Sequence, residues 1–281
     1  MILHTMKRDH LTPVEPVSPV APWLGGKRNL AKRITAILDA LGHETYAEPF
    51  VGMGGVFLRR KMRPRSEVIN DFGRDVSNLF RILQRHYPQF LEVLRFQLTT
   101  RTEFLRLVDT DPSTLTDLER AARFLYLQRT AFGGKVSGRN FGVSKDRPGR
   151  FNMTTLEPML EDLHARLAGV TIECLDYSDF IRRYDGKGTL FYLDPPYWGC
   201  EGDYGKELFG RDDFQAMADQ LQGINGRFLM SINDVPEIRQ VFAGFVIEGV
   251  ETSYSIGKDG SSRGSRAELL ISNFKWRSKG G

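Results

Sequence analysis

TYAEPFVGMGGVFLRRKMRPRSEVIND, residues 45–71, reads as strand, glycine turn, short helix and strand. TYAEPF (45–50) has the apolar, β-prone texture of a short buried strand. In VGMGG the glycines permit backbone paths closed to other residues and let a ligand approach the main chain. Val56, Phe57 and Leu58 are expected on a short helix, and SEVIND (66–71) on a second strand ending in polar Asn70 and Asp71. A βαβ unit of this kind joins parallel strands. Asp71 follows Gly52 by 19 residues, a spacing at which an acid meets ribose hydroxyls in nucleotide-binding sheets. The turn is GxGG rather than GxGxxG, so a dinucleotide pyrophosphate is not indicated. Taken alone, a structural turn accounts for the glycines equally well.

Upstream, PWLGGKRNL (22–30) sets Lys27 beside Gly25 and Gly26, and LAKRITAILDAL (30–41) has helical spacing with Gly42 as its stop. Residues 1–21 include LTPVEPVSPVAP. Proline withholds amide donors from helix and sheet, so a flexible or extended N-terminal leader is expected. Downstream, residues 75–130 look helical nearly throughout, in VSNLFRILQRH, YPQFLEVLRFQL and LTDLERAARFLYLQR. FGGKVSGRNFGVSKDRPGRF (132–151) has five glycines and no helical period, as a hairpin or long structured loop would. A helix at about 155–168 is expected next. Strands then return at VTIECLD (170–176), TLFYLDPPY (189–197) and RFLMSIND, alternating with helices at DYSDFIRRY, RDDFQAMADQLQGI and VPEIRQVF. VIEGVETSYSI and AELLISNF pair as a final antiparallel hairpin. The expectation is one α/β domain, residues 22–75 and 166–281, interrupted by a mostly helical insertion at 76–165.

The chain has 281 residues, 41% hydrophobic and 26% charged, which suits an ordinary packed core. No apolar run reaches the roughly 18–20 residues of a membrane span, and the N-terminus lacks the pattern of a secretory signal. Cys174 and Cys200 form no CxxC, and the five histidines show no ligand spacing, so no metal site is expected. A reducing cytoplasm suits this cysteine usage. The net charge is only +4, but residues 120–150 hold eight Lys or Arg against one acid, Asp146. Such a concentration suggests a polyanion contact.

LDPPYW (193–198) carries the chemistry. The apolar run before it places Asp194 where a buried parallel strand emerges, and ligands of open α/β sheets bind beyond the carboxyl ends of strands. Pro195 and Pro196 fix the turn and offer carbonyls without amide donors. A carboxylate beside an exposed carbonyl is an acceptor pair suited to an NH2 group. Tyr197 adds a flat face against which a planar base stacks. An exocyclic amine on a purine is a poor nucleophile because its lone pair is delocalised into the ring. Acceptors holding its hydrogens favour a tetrahedral nitrogen and stabilise the positive charge that develops.

PxxGGK, EPFxGxGG, an acid ending the next strand, and DPPY late in the chain together resemble the Dam-type (D12 class) N6-adenine-specific DNA methyltransferases, from about Pro22 to Phe274. The resemblance implies a Rossmann-like seven-stranded S-adenosylmethionine-dependent methyltransferase sheet, with residues 76–165 as a target-recognition domain carrying a β-hairpin. It implies that Asp194 and the Pro195 carbonyl, in the motif completed by Pro196 and Tyr197, hold the target amine of a flipped adenine. Trp23, Lys27, Glu48, Phe50, Gly52, Gly54 and Asp71 would line the cofactor site, with Asp176 or Phe180 against the cofactor's adenine. Arg129, Lys135, Arg139, Lys145, Arg147 and Arg150 are the candidate DNA contacts, Arg129 and Arg139 to bases, with Phe132 and Phe141 available to wedge or stack. Expected partners are double-stranded DNA and S-adenosylmethionine, with a cognate restriction endonuclease as a further candidate, in the nucleoid-associated cytoplasm of a bacterial host. GATC-modifying members have Asn-Arg and Asn-Gly where this chain has Gln128-Arg129 and Gly133-Gly134, so the resemblance covers the enzyme class and not that target sequence. N4-cytosine methylation and a catalytically silent DNA-binding relative are the alternatives.

Overall fold

The computed structural model describes residues 11–27, 29–136, 138–143, 146, 148–200, 209–253 and 265–276. Its elements in chain order are β1 (Thr12–Pro13), α1 (Ala31–Ala40), β2 (Thr45–Glu48), β3 (Met62–Arg63), β4 (Ser66–Asn70), α2 (Arg74–Arg85), α3 (Tyr87–Leu94), α4 (Arg101–Asp109), α5 (Asp117–Thr130), α6 (Met153–Arg166), β5 (Thr171–Glu173), α7 (Tyr177–Tyr184), β6 (Thr189–Leu193), α8 (Arg211–Gln222), β7 (Arg227–Asn233), α9 (Pro236–Val241), β8 (Val246–Ser253) and β9 (Ser265–Ser272). Among the described residues, no helix is long and apolar enough to cross a membrane.

Seven strands form one sheet in the order β5-β4-β2-β6-β7-β9-β8. The first five are parallel, β9 runs antiparallel to β7, and β8 antiparallel to β9. The α/β expectation holds, down to the strand number. All of β6 is buried, as befits a strand covered on both faces. From β2 the chain builds outward through β4 to β5, and only later returns to add β6 on the other side. The strand order therefore reverses between β2 and β6, and a crevice opens at their carboxyl ends.

Each face of the sheet has its own apolar layer. Tyr46, Ile69 and Leu190 share one core with Phe90, Phe104, Phe124 and Leu156 of the helical insertion. Ala47, Val68 and Phe191 pack on the other face with Phe180, Phe214 and Met217. The insertion thus packs as one layer of the α/β body. Its central helix, α5, begins at a capping box in which Thr116 and Glu119 satisfy each other's backbone amides, and it is buried from Ala121 to Gln128.

One expectation needs correction. No α-helix follows the glycine turn; the crossover is a single 3-10 turn, Phe57–Arg59. Only four residues separate Gly55 from Arg60, whose side chain is fully buried, and so short a segment cannot offset the cost of nucleating a helix. Arg60 reaches Asp39 at 3.3 Å, Glu67 at 3.5 Å and His43 at 2.8 Å. Over residues 11–21 the leader is extended, one of the two forms expected. β1 pairs with β3, and the Val14 and Val17 amides donate to Lys61 and Leu58 carbonyls at 2.9 Å. The valines between the prolines keep their donors, and Val20 is buried in the core.

Glu67 ties the insertion to the sheet. Both its oxygens accept from Arg166 of α6 at 2.7 Å, and both groups are 1% exposed. Such a bidentate pair fixes direction as well as distance.

Candidate active site

Glu48 ends β2, and Asp194 is the first residue after β6, its parallel neighbour. The two acids therefore meet at the point where strand order reverses. A cavity of about 930 Å³ opens there, lined by Trp23, Lys27, Glu48, Phe50, Gly52, Asp71, Asp194 and Pro196, among others.

Lys27 is the charge that organises this end of the sheet. Its side chain is 1% exposed, and its ammonium lies 2.9 Å from Asp194 Oδ1 and 3.4 Å from Glu268 Oε2. It also donates to the Tyr197 hydroxyl and sits 4.2 Å from the centre of that ring. Asp194 Oδ1 is also approached by the Ser231 hydroxyl at 3.4 Å. Burial raises the Asp194 carboxyl to about 6, against the opposing pull of Lys27. Burial likewise holds Glu48 well above the usual carboxylate range, and the Asp194 charge adds to the rise. The turn after Asp194 is clasped from β7: Trp198 donates its amide to Asn233 Oδ1 at 2.9 Å and accepts from Asn233 Nδ2 at 3.1 Å.

The glycine turn forms the other wall. Gly52 and Gly54 have φ of +49° and +77°. A Cβ on Gly52 would lie 2.6 Å from Trp23 Nε1, so glycine is required for the turn to meet the indole. Asp71 accepts from the Gly52 amide at 3.0 Å and the Gly73 amide at 2.8 Å, which fixes both oxygens at the cavity wall. Burial raises its carboxyl to about 6. Asn70 locks the same corner by donating to the Pro49 and Leu175 carbonyls and accepting from the Leu175 amide. Phe50 rests against Tyr177 and Phe209.

Phe180 does not reach the cavity. It is fully buried, packed 4.9 Å from Tyr184 in the core beneath the sheet. Asp176 caps α7 through the Ser178 amide at 2.9 Å and is not among the cavity-lining residues. Sequence reading missed Asn70, Ser231, Asn233 and Glu268. Ser231 and Glu268 carry a signal: each is a polar residue directly beside an apolar run, Phe228–Met230 and Leu269–Ile271.

The candidate DNA contacts fall in different surroundings. Lys145 and Arg147 lie outside the described residues. Arg129 donates to the Val20 carbonyl, and to the Arg150 carbonyl at 3.2 Å, with burial lowering its pKa. Arg150 donates to the Ala131 carbonyl at 3.0 Å. Arg120 pairs with Asp75 at 2.6 Å, and Arg123 donates to the Leu107 carbonyl at 2.7 Å. Arg123 is thus buried within the insertion, whereas Arg129 and Arg150 line the cavity and Arg150 is exposed. Arg139 donates to the Lys135 carbonyl at 3.2 Å, and burial lowers its pKa to about 10. Lys135 is exposed. The hairpin is one bridge wide among the described residues, Ala131 to Phe141. Phe141 packs 5.2 Å from Phe104, while Phe132 is 60% exposed and stays available as a wedge. Gln128 is wholly buried, donating to the Pro22 and Gly134 carbonyls at 2.8 and 2.6 Å, so it locks the hairpin base to the leader.

Comparison with known proteins adds a family. The model described as D12 class N6 adenine-specific DNA methyltransferase matches residues 23–256. A Type II methyltransferase of Lactococcus lactis subsp. cremoris is 26% identical over 275 residues, 91% of this chain and 95% of the relative. A Type II methyltransferase of Paramecium bursaria Chlorella virus NC1A is 23% identical, covering 92% of this chain and 100% of the relative. A DNA adenine methylase of Vibrio cholerae is 25% identical, covering 88% and 93%.

Proposed function

Since the chain belongs to the D12 class of N6 adenine-specific DNA methyltransferases, we propose that the crevice between β2 and β6 brings the target adenine to Asp194 and the cofactor to Asp71. The reaction is methyl transfer from S-adenosylmethionine to N6 of adenine in DNA. The observation that carries the residue assignment is the placement of Asp194 at the sheet's reversal point with Lys27 2.9 Å from its Oδ1.

The cavity suits the cofactor. Asp71 offers fixed acceptors for hydroxyls, Trp23, Phe50 and Val51 offer apolar walls, and Glu48 adds a carboxyl for a polar group of the cofactor. S-adenosylmethionine supplies an electrophilic methyl on a positively charged sulfur. The protein's own work is on the amine. With Lys27 and Ser231 on Oδ1, Asp194 Oδ2 and the Pro195 carbonyl accept the two amine hydrogens. The nitrogen lone pair is drawn out of conjugation, and the charge that develops on nitrogen faces a carboxylate. Because that amine is stacked and paired in a duplex, the nucleotide must leave the helix first. Exposed Phe132 and Lys135 support residues 131–143 as part of the surface on DNA.

Asp194 must be ionised to accept. The single-turnover rate is expected to rise with pH through about 6 and level off above it, following the raised Asp194 carboxyl. A rate that falls across that interval would remove Asp194 as the ionised acceptor. For the cofactor, Asp71→Ala is expected to weaken S-adenosylmethionine binding by about 1–3 kcal/mol. Calorimetry on the apoprotein measures this, and unchanged affinity would take Asp71 out of the site.

The names of the Lactococcus and chlorella-virus relatives support a companion restriction endonuclease. We place the pair in the nucleoid-associated cytoplasm of a bacterial host. Long-read sequencing of DNA from cells making the protein gives the modified context, and an endonuclease that cuts this context only when unmethylated is the expected companion. Fluorescent tagging that finds the protein away from the nucleoid would contradict the placement.

A further inference from the structure

We propose that Glu268 is a positioning residue for methyl transfer: from β9 it holds Lys27, and through Lys27 it sets Asp194 against the target amine. The proposal rests on the reading that Asp194 accepts that amine.

Glu268 lies in a strand where Leu269, Leu270 and Ile271 are fully buried, and it is itself 1% exposed. A carboxylate so placed is costly to desolvate unless a partner offsets the cost. Its partner is Lys27 Nζ at 3.4 Å, itself 1% exposed and 2.9 Å from Asp194. Lys27 thus bridges two acids from different parts of the sheet. Glu268 is also opposite Asn233 in the β7–β9 register, and Asn233 clasps the Trp198 backbone. One rung of the ladder therefore supports both Lys27 and the turn that follows Asp194.

Sharing Lys27 matters for the chemistry. An ammonium drawn wholly onto Asp194 would compete with the amine for the carboxylate. Held between two acids, it fixes Oδ1 while leaving charge on Oδ2 for the substrate. The groups facing Asp194 are Lys27 from the GGK turn, Glu48 from β2, Ser231 from β7 and Glu268 from β9, with Tyr192 on Ser231 and Tyr197 on Lys27. Of these, Lys27 lowers the Asp194 carboxyl and Glu268 raises it. Neutralising Glu268 removes a like charge and frees Lys27 for Asp194. Both changes favour ionised Asp194, so the acid limb of the rate profile must move to lower pH.

The test is Glu268→Gln in the full chain. Single-turnover methylation of unmethylated plasmid DNA is followed between about pH 5 and 9. The expected result is a rate about tenfold lower on the plateau, a KM for S-adenosylmethionine within about twofold of wild type, and an acid limb displaced to lower pH. Glu268→Asp keeps the charge, so its limb should stay at the wild-type position while its plateau falls. A Gln variant with wild-type rate and limb overturns the proposal. So does a slow, folded Gln variant whose limb has not moved, since that is lost packing alone. If the Gln variant does not fold, the Asp variant decides: a limb displaced to lower pH despite the retained charge contradicts the proposal. Wild-type protein that places no methyl on adenine would instead refute the reading of Asp194.

Discussion

Asp194→Ala is expected to slow methyl transfer by about 100- to 1,000-fold, or about 2.7–4 kcal/mol. The loss comes from the transition state: without the carboxylate, nothing offsets the charge growing on the amine nitrogen, and Lys27 is left facing Glu268 beside the empty acceptor position. Cofactor affinity should change little, because the Asp71 acceptors belong to the opposite wall and are held by the Gly52 and Gly73 amides. Asp194→Asn is the sharper variant. It keeps the shape and one acceptor oxygen but removes the charge, so a deficit close to that of Ala would identify charge rather than contact as the active ingredient. Single-turnover rates with calorimetry of cofactor binding separate the two effects. Retention of more than about a tenth of the wild-type rate would remove Asp194 from its assigned role.

Glu67→Ala is expected to cost about 3–5 kcal/mol of folding stability, a large share of what a domain possesses. Arg60 and Arg166 are both buried, and the shared carboxylate is what offsets their burial. Arg60 keeps Asp39 at 3.3 Å. Arg166 keeps only the face of Phe57, 4.1 Å from its guanidinium carbon, among its described contacts. The substitution also unfastens α6 from β4, so the helical layer should loosen on the sheet. Urea unfolding would show a lower midpoint at unchanged slope. A change below about 1 kcal/mol would mean that water reaches these guanidinium groups and that the pair is not a structural tie.

The parts of the fold legible in the sequence are those written in neighbouring residues. The strand, glycine turn and strand at 45–71 needed only local period and the phi angles that glycine permits. Asp194 needed only an apolar strand ending in two prolines. What escaped was pairing across long stretches of chain. Lys27 meets Asp194 and Glu268 from opposite ends of the sequence, and Glu67 meets Arg166 of α6 across 99 residues. The charge excess at 120–150 was real, yet a count cannot say which guanidinium groups turn inward, and that of Arg123 does. Phe180 was the avoidable error. Tyr177, Phe180 and Ile181 are spaced i, i+3, i+4 on α7 and form its buried face, so the period already placed Phe180 in the core.

Where the methyl goes is the decisive property of this enzyme. Purified protein is incubated with methyl-labelled S-adenosylmethionine and unmethylated duplex DNA, the DNA is digested to nucleosides, and the labelled base is identified by mass spectrometry. The result predicted is label in N6-methyladenine alone, lost in Asp194→Ala. Label in N4-methylcytosine, or label in N6-methyladenine that survives the Asp194 substitution undiminished, would contradict it.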